Sequence, residues 1–303
     1  MNASARSGIG PRISPRSRTR ISCTSRRSES HGNRRASASR VNPRPFRSDG
    51  ALRIVVPVTT AQPTTVAGVI ARLEALQAAS PRADGVACFA QLYCEVTKGV
   101  NAELAQSSFA DPAFLERLDI VFANLFFDAV ETLDRSPAST PSAWAPLFGA
   151  RSRSGIAPLQ FALAGMNAHI NRDLPVALVA TCEERGIDLR AGSPQHSDFR
   201  RVNDLLARVE ERVSASYVTG VLAFVNRVLH RHNRLDDVIA MWNVRRARDA
   251  AWVNGEVLWG LRRNTILHAE FVATLDRTTG FAGRGLLVPT ETRLRSLGRL
   301  FGR

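Results

Sequence analysis

The chain has 303 residues with 41 basic and 27 acidic side chains, a formal net charge of +14 that first points toward nucleic acid. Residues 1–47, however, hold twelve arginines and one acid, Glu29, so the rest of the chain is near balance, which weakens that reading for the folded part. Its four cysteines have neither CxxC spacing nor the density of a secreted disulfide framework, and no apolar run approaches the roughly 18 residues that a membrane span needs.

Residues 1–50 are rich in Ser, Arg, Pro and Gly and poor in apolar side chains, which predicts a disordered basic extension. Three origins fit it: a nucleic-acid-binding arm, a targeting segment, or a stretch translated from upstream of the true start. Only Lys98 among the 41 basic residues is lysine, a skew expected of a GC-rich genome, and it favours the third. Residues 51–303 read as a single helical domain of a soluble, cytoplasmic protein, all-α and either orthogonal or bundle-like. Strand-like alternation is confined to residues 52–58, where Pro57 argues against a central strand.

Thr64-Thr65, Asp84-Gly85 and Asp111-Pro112 are the expected openings of three successive helices. In the third, Leu118, Val121, Phe122, Leu125, Phe126 and Ala129 recur at spacings of three and four, a core-facing stripe. Residues 135–155 form the longest interruption, yet Trp144, Leu147 and Phe148 predict a packed loop inside one domain. The later segments repeat the helical pattern, and the last is expected to stop at Gly280 as a C-cap. Cys88, Cys94 and Cys182 read as small core residues.

The chemistry concentrates in "GMNAHINRDLP". On a helix over residues 159–181, Leu159, Leu163, Met166, Ile170, Leu174, Ala177 and Thr181 make the core face. Gln160, Asn167 and Asn171 lie along one edge, with His169 and Asp173 at i, i+4 on the other. That spacing lets both side chains ligate one divalent metal, or lets the carboxylate orient the imidazole as a base. Pro175 has no N–H, so it frees the carbonyl of Asn171 and bends the helix beside the cluster. Against this stands the plainer reading, in which Asp173 caps a second helix and His169 is a surface residue.

Asn124, Asp128 and Glu131, preceded by Asp119, are candidate recruits, with Asn124 and Asp128 expected in a buried network and Glu131 at its solvent edge. Asp198, with His196 before it and Asn203 after it, is either a helix N-cap or a further ligand. Arg248, Trp252 and Glu256, in i, i+4 steps, read as a packed seam with an ion pair. His230, after Asn226, reads as a solvated helix end. The folded part contains no phosphate loop, dinucleotide fingerprint, HExxH or GxSxG, which disfavours those enzyme classes.

At "QFALAGMNAHINRDLPVAL", "LDIVFANLFFDA", "WAPLF", "DFRRVNDLLA", "MWNVRRARDAAW" and "LLVP" the sequence resembles the bacterial domain-of-unknown-function family 5995, seen chiefly in actinobacteria. The resemblance spans roughly residues 55–290 and implies a mainly helical domain with no established activity. "HINRDLP" is also similar to the HxxxD step of helical zinc-dependent phospholipases, whose further histidines this chain does not supply at matching places.

Two functions are therefore expected to compete. One is a hydrolase or acid–base enzyme with a small-molecule ligand, using His169, Asp173, Asn167 and Asn171 and, with a divalent metal, Asp128 and Asp198. The other is a non-catalytic binding or scaffold protein in which the same residues form a hydrogen-bond network. Solvent access to His169 and Asp173 discriminates them. Nucleic acid remains an expected partner only through the basic extension.

Overall fold

A computed structural model describes residues 61–104, 109–206 and 244–289, all within the compact unit that spans residues 49–303. The basic extension, the strand-like stretch at 52–58, Asn226 and His230 lie outside the described residues. Among those described there is no strand, and the fold is all-α. No helix among them is long and apolar enough to cross a membrane.

The helix openings fall where their side chains can accept the first unpaired N–H groups. Thr65 accepts from Gly68 N ahead of α1 (Val66–Ala79), and Asp84 accepts from Val86 N at 2.8 Å ahead of α2 (Gly85–Leu104). Asp111 does the same for Phe114 N, with Pro112 at the first position of α3 (Pro112–Arg135). The interruption that follows is packed, as expected. A 3₁₀ turn at Pro137–Ser139 leads to the short α4 (Ala145–Ala150), and Trp144, Leu147 and Phe148 are buried.

From Pro158 the chain runs as α5 (Pro158–Ala168), a π turn at His169–Asp173, and α6 (Leu174–Arg185), which ends on left-handed Gly186. The wide turn has a local cause. Pro175 cannot donate to Asn171 O, and its ring would collide with that carbonyl in a regular α-helix. Leu174 N instead reaches back to His169 O, a π-type bond that absorbs one extra residue and rotates α6 relative to α5.

Next come α7 (residues 194–206), α8 (Val244–Leu261) and α9 (Thr265–Leu286). α9 does not stop at Gly280. That glycine is a close-approach residue, since a Cβ there would sit 2.2 Å from Ser142 O. Asp276 holds that loop in place, accepting from Ser142 N at 2.7 Å and Ala143 N at 3.1 Å.

Two apolar cores result. One gathers Leu73, Phe89, Phe126, Trp144 and Phe161, and the other Phe114, Leu118, Leu178, Phe199 and Trp252; Met166 packs against both. α3 contributes to each, and so does the α5–α6 run, which therefore has core around most of its circumference. The one-faced stripe expected over 159–181 is thus too narrow, because Gln160, Asn167, His169 and Asp173 are buried as well. Cys88, Cys94 and Cys182 are buried free thiols, as their role as small core residues requires.

Candidate functional site

The π turn brings His169 and Asp173 together, with His169 Nδ1 3.3 Å from Asp173 Oδ2, but neither meets solvent: their exposures are 1% and 0%. The carboxylate is occupied on both sides. Oδ2 also accepts from Trp144 Nε1 at 3.0 Å, and Oδ1 accepts from Arg172 Nη1 at 2.7 Å. Arg172 in turn faces Asp276, so the π turn and α9 are linked through charge, and the Trp144 hydrogen bond ties in the segment before α4.

The imidazole lies flat on Phe122, with ring centroids 3.4 Å apart, and is edged by Phe89, Tyr93 and Phe126. Burial drives its pKa below the usual 6.5, and the neighbouring Asp173 only partly opposes that shift. The buried Nε2 has no hydrogen-bond partner.

Asn167 and Asn171 also meet, at 3.0 Å, but they serve another joint. Asn167 Nδ2 donates to Thr279 O at 3.0 Å, while Gln160 Nε2 donates to Leu286 O and Val288 O, which terminates α9. The two further candidate ligands stand elsewhere. Asp128 is exposed and takes a hydrogen bond from Gln62, so the expected buried network does not include it. Glu131, expected at a solvent edge, is half-buried and pairs with Arg72 and Arg135.

Asp198 is not an N-cap. Ser193 caps α7, accepting from His196 N at 3.0 Å, whereas buried Asp198 accepts from Ala110 N and Asp111 N at the approach to α3. Among the described residues, no three His, Cys, Asp or Glu side chains are grouped as a metal site.

A different constellation lies on the far side of Phe122. A cavity of about 550 Å³ opens between the start of α1 and α2, α3, α6, α7 and α8, a size in the range of about 300–1,000 Å³ typical of small-molecule sites. Val96, Val100, Leu115, Phe122, Leu174 and Val202 supply apolar lining, and exposed Asn101 and Glu116 also border it. Its polar wall comes from three helices: Tyr93 and Thr97, one turn apart on α2, Asp119 on α3 and Arg248 on α8.

Tyr93 Oη, Thr97 Oγ1 and Asp119 Oδ2 are all buried without a hydrogen-bond partner. Such atoms are uncommon in folded proteins, and each costs about 1–3 kcal/mol while unsatisfied. His169 and Asp173 do not line this cavity.

Electrostatics bind the wall together. Burial raises Asp119 to about 6, against an opposing pull from Arg248. Burial lowers Arg248 to about 10, with Asp119 and Asp249 holding it up, and raises Tyr93 well above its ordinary 10.0. Arg248 sits in the seam expected from the sequence, but it is held there by other partners: Nε donates to Asn203 Oδ1 at 2.7 Å and the guanidinium lies 4.3 Å over Phe199. Tyr93 and Thr97 do not stand out in the sequence, where their only signal is an i, i+4 polar pair inside a largely apolar helix.

A raised carboxyl means that the folded state holds the Asp119 proton more tightly than the unfolded chain does. Its ionised form therefore costs stability at neutral pH, and that cost disappears as pH falls through about 6 toward the ordinary 3.8. Asp119→Asn is expected to stabilise the protein at pH 8 by on the order of 2 kcal/mol, discounted for partial exposure, and to lose that advantage by pH 4. Urea denaturation at the two pH values checks this; destabilisation at pH 8 contradicts it.

No curated protein and no solved structure matches the chain. The model of the Family of unknown function (DUF5995) matches residues 66–289, a stretch that contains both the aromatic-caged His169–Asp173 pair and the whole polar wall of the cavity. The chain therefore belongs to that family of unknown function.

Proposed function

We propose that this protein binds a small, largely apolar molecule in this cavity, with Tyr93, Thr97, Asp119 and Arg248 receiving its polar end. The observation that carries this reading is that three residues on one wall of a ligand-sized space, Tyr93, Thr97 and Asp119, each carry a buried polar atom without a hydrogen-bond partner. A bound molecule would satisfy them and relieve their desolvation cost. In this reading His169 and Asp173 are positioning groups: His169 backs Phe122, and Asp173 fastens Trp144 and Arg172.

Filling the space tests the proposal. Wild-type protein is expected to take up the apolar fluorophore N-phenyl-1-naphthylamine saturably and to melt higher with it, gaining about 2.7 kcal/mol at a hundredfold excess over Kd. Val100→Trp, which places an indole among the lining residues, should abolish both effects. Equal uptake by the variant overturns the reading.

One observation favours a second reading at the same wall, an acid–base hydrolase. Asp119 at about 6 is poised near a neutral working pH. Ester turnover that follows a pKa near 6 and vanishes in Asp119→Asn would support it, and turnover unchanged in that variant would exclude it.

A further inference from the structure

Arg248 is the group at the cavity wall whose charge is hardest to remove. Although it is only 8% exposed, burial brings it no lower than about 10, so it remains a cation at neutral pH. Its Nε is taken by Asn203 and one face of the guanidinium is covered by Phe199, which fixes the plane of the fork at the cavity wall. Tyr93 stays a neutral phenol, because burial and the charges of Asp119 and Asp173 all resist its ionisation. Thr97 adds a second hydroxyl from the next turn of α2.

Asp119 is the adjustable member of the group. Near its ordinary value it would be a fixed counter-charge to Arg248; raised to about 6, it gains a proton readily and becomes a donor. The remaining charged groups do not reverse this balance. On α3, Glu116 is exposed; on α8, Asp249 accepts from Asn203 Nδ2; on α7, Asp204 pairs with Arg245; and behind Phe122, His169 is held neutral by burial. The wall therefore presents one permanent cation, two hydroxyls and one carboxyl that can be neutralised, set against an apolar remainder.

An ammonium head would meet Arg248 as a like charge. An uncharged alcohol would leave that cation without a new counter-ion. An anionic head with two acceptor oxygens suits every donor present. We propose that the cavity takes a monocarboxylate with an elongated apolar body, its carboxylate received by Arg248, Tyr93 and Thr97, and that binding is accompanied by uptake of one proton on Asp119. This rests on the reading of the cavity as a ligand site. The proton lowers the excess negative charge: Asp119 and Asp249 already act on the one guanidinium, and a third carboxylate is accommodated when Asp119 becomes neutral.

The linkage has a defined sign. The ligand favours protonated Asp119, so affinity rises as pH falls from 8 to 6, by about 50-fold for a single proton with a free-protein pKa near 6.

The full-length protein should be titrated calorimetrically with decanoate, 1-decanol and decylammonium at pH 7.5, in phosphate and in Tris, whose different ionisation enthalpies count the protons exchanged. The expected result is decanoate binding at least tenfold tighter than decanol, no measurable decylammonium binding, and uptake of close to one proton. Asp119→Asn should abolish the proton uptake and flatten the pH dependence. Tyr93→Phe, which keeps the ring in the core, should weaken decanoate severalfold while leaving decanol unchanged.

Decanol binding as tightly as decanoate, or decylammonium binding preferentially, overturns the carboxylate assignment while leaving the apolar-ligand reading intact. Proton uptake that persists in Asp119→Asn overturns the role of Asp119. Binding of none of the three overturns the ligand cavity itself, and with it this proposal.

Discussion

Asp173→Ala is expected to cost about 3–5 kcal/mol, because one carboxylate serves three partners in a fully buried place. Its loss strands the Trp144 N–H at a position with 0% exposure. It also removes the Arg172 Nη1 contact at 2.7 Å and the carboxylate beside His169 Nδ1. The damage should spread along the chain, since Trp144 anchors the segment before α4 and Arg172 leads to Asp276, which holds Ser142 and Ala143. Chemical denaturation, with near-ultraviolet circular dichroism to follow the tryptophan environment, measures it. A cost under about 1 kcal/mol would mean that the cluster contributes no stability.

His169→Ala is expected to cost about 2–4 kcal/mol, as the removal of a buried ring does, because Phe122, Phe89 and Tyr93 would be left around a void. An exposed catalytic histidine would cost far less. The same variant carries a pH signature. His169 is held neutral by burial, with its folded pKa below the usual 6.5. The unfolded chain therefore binds a proton that the folded protein refuses, and stability is lost as pH falls below about 6.5, by up to about 1.4 kcal/mol per pH unit. Alanine has nothing to protonate, so the gap between wild type and variant should narrow from pH 7 to pH 5. Asp119 is present in both proteins and drops out of the difference. A gap that widens on acidification would show that folding favours the imidazolium, with Asp173 outweighing burial.

The two clusters make different demands on the chain. The His169–Asp173 pair is caged by aromatic rings and closed to solvent, with its carboxylate fully engaged and His169 Nε2 without a partner. The cavity wall keeps unsatisfied groups and perturbed ionisations beside open space, an arrangement that costs stability in the empty protein and persists where a site needs it. Asp119→Asn should stabilise and Asp173→Ala should destabilise, so the sign of the change separates the two roles.

Local sequence was sufficient to determine the helical class, the N-caps at Thr65, Asp84 and Asp111, the packed segment around Trp144, and the meeting of His169 with Asp173. Each depends on residues within about a turn or on simple periodicity. Pro175 is legible as a disturbance of the helix, though its resolution into a π turn is not, because the turn relieves a clash that can also be relieved by a kink or a break. Gly280 looks like a helix end in the sequence because chain chemistry alone cannot see Ser142 lying against it. Asp128 and Asp198 have the chemistry of ligands, and only the packing of α3 and α7 puts one in solvent and the other beneath Ala110 and Asp111. The cavity wall is the extreme case. Tyr93, Asp119 and Arg248 are far apart in the chain and ordinary in their local surroundings; what sets them apart is burial without enough partners, and burial is a property of how distant helices meet.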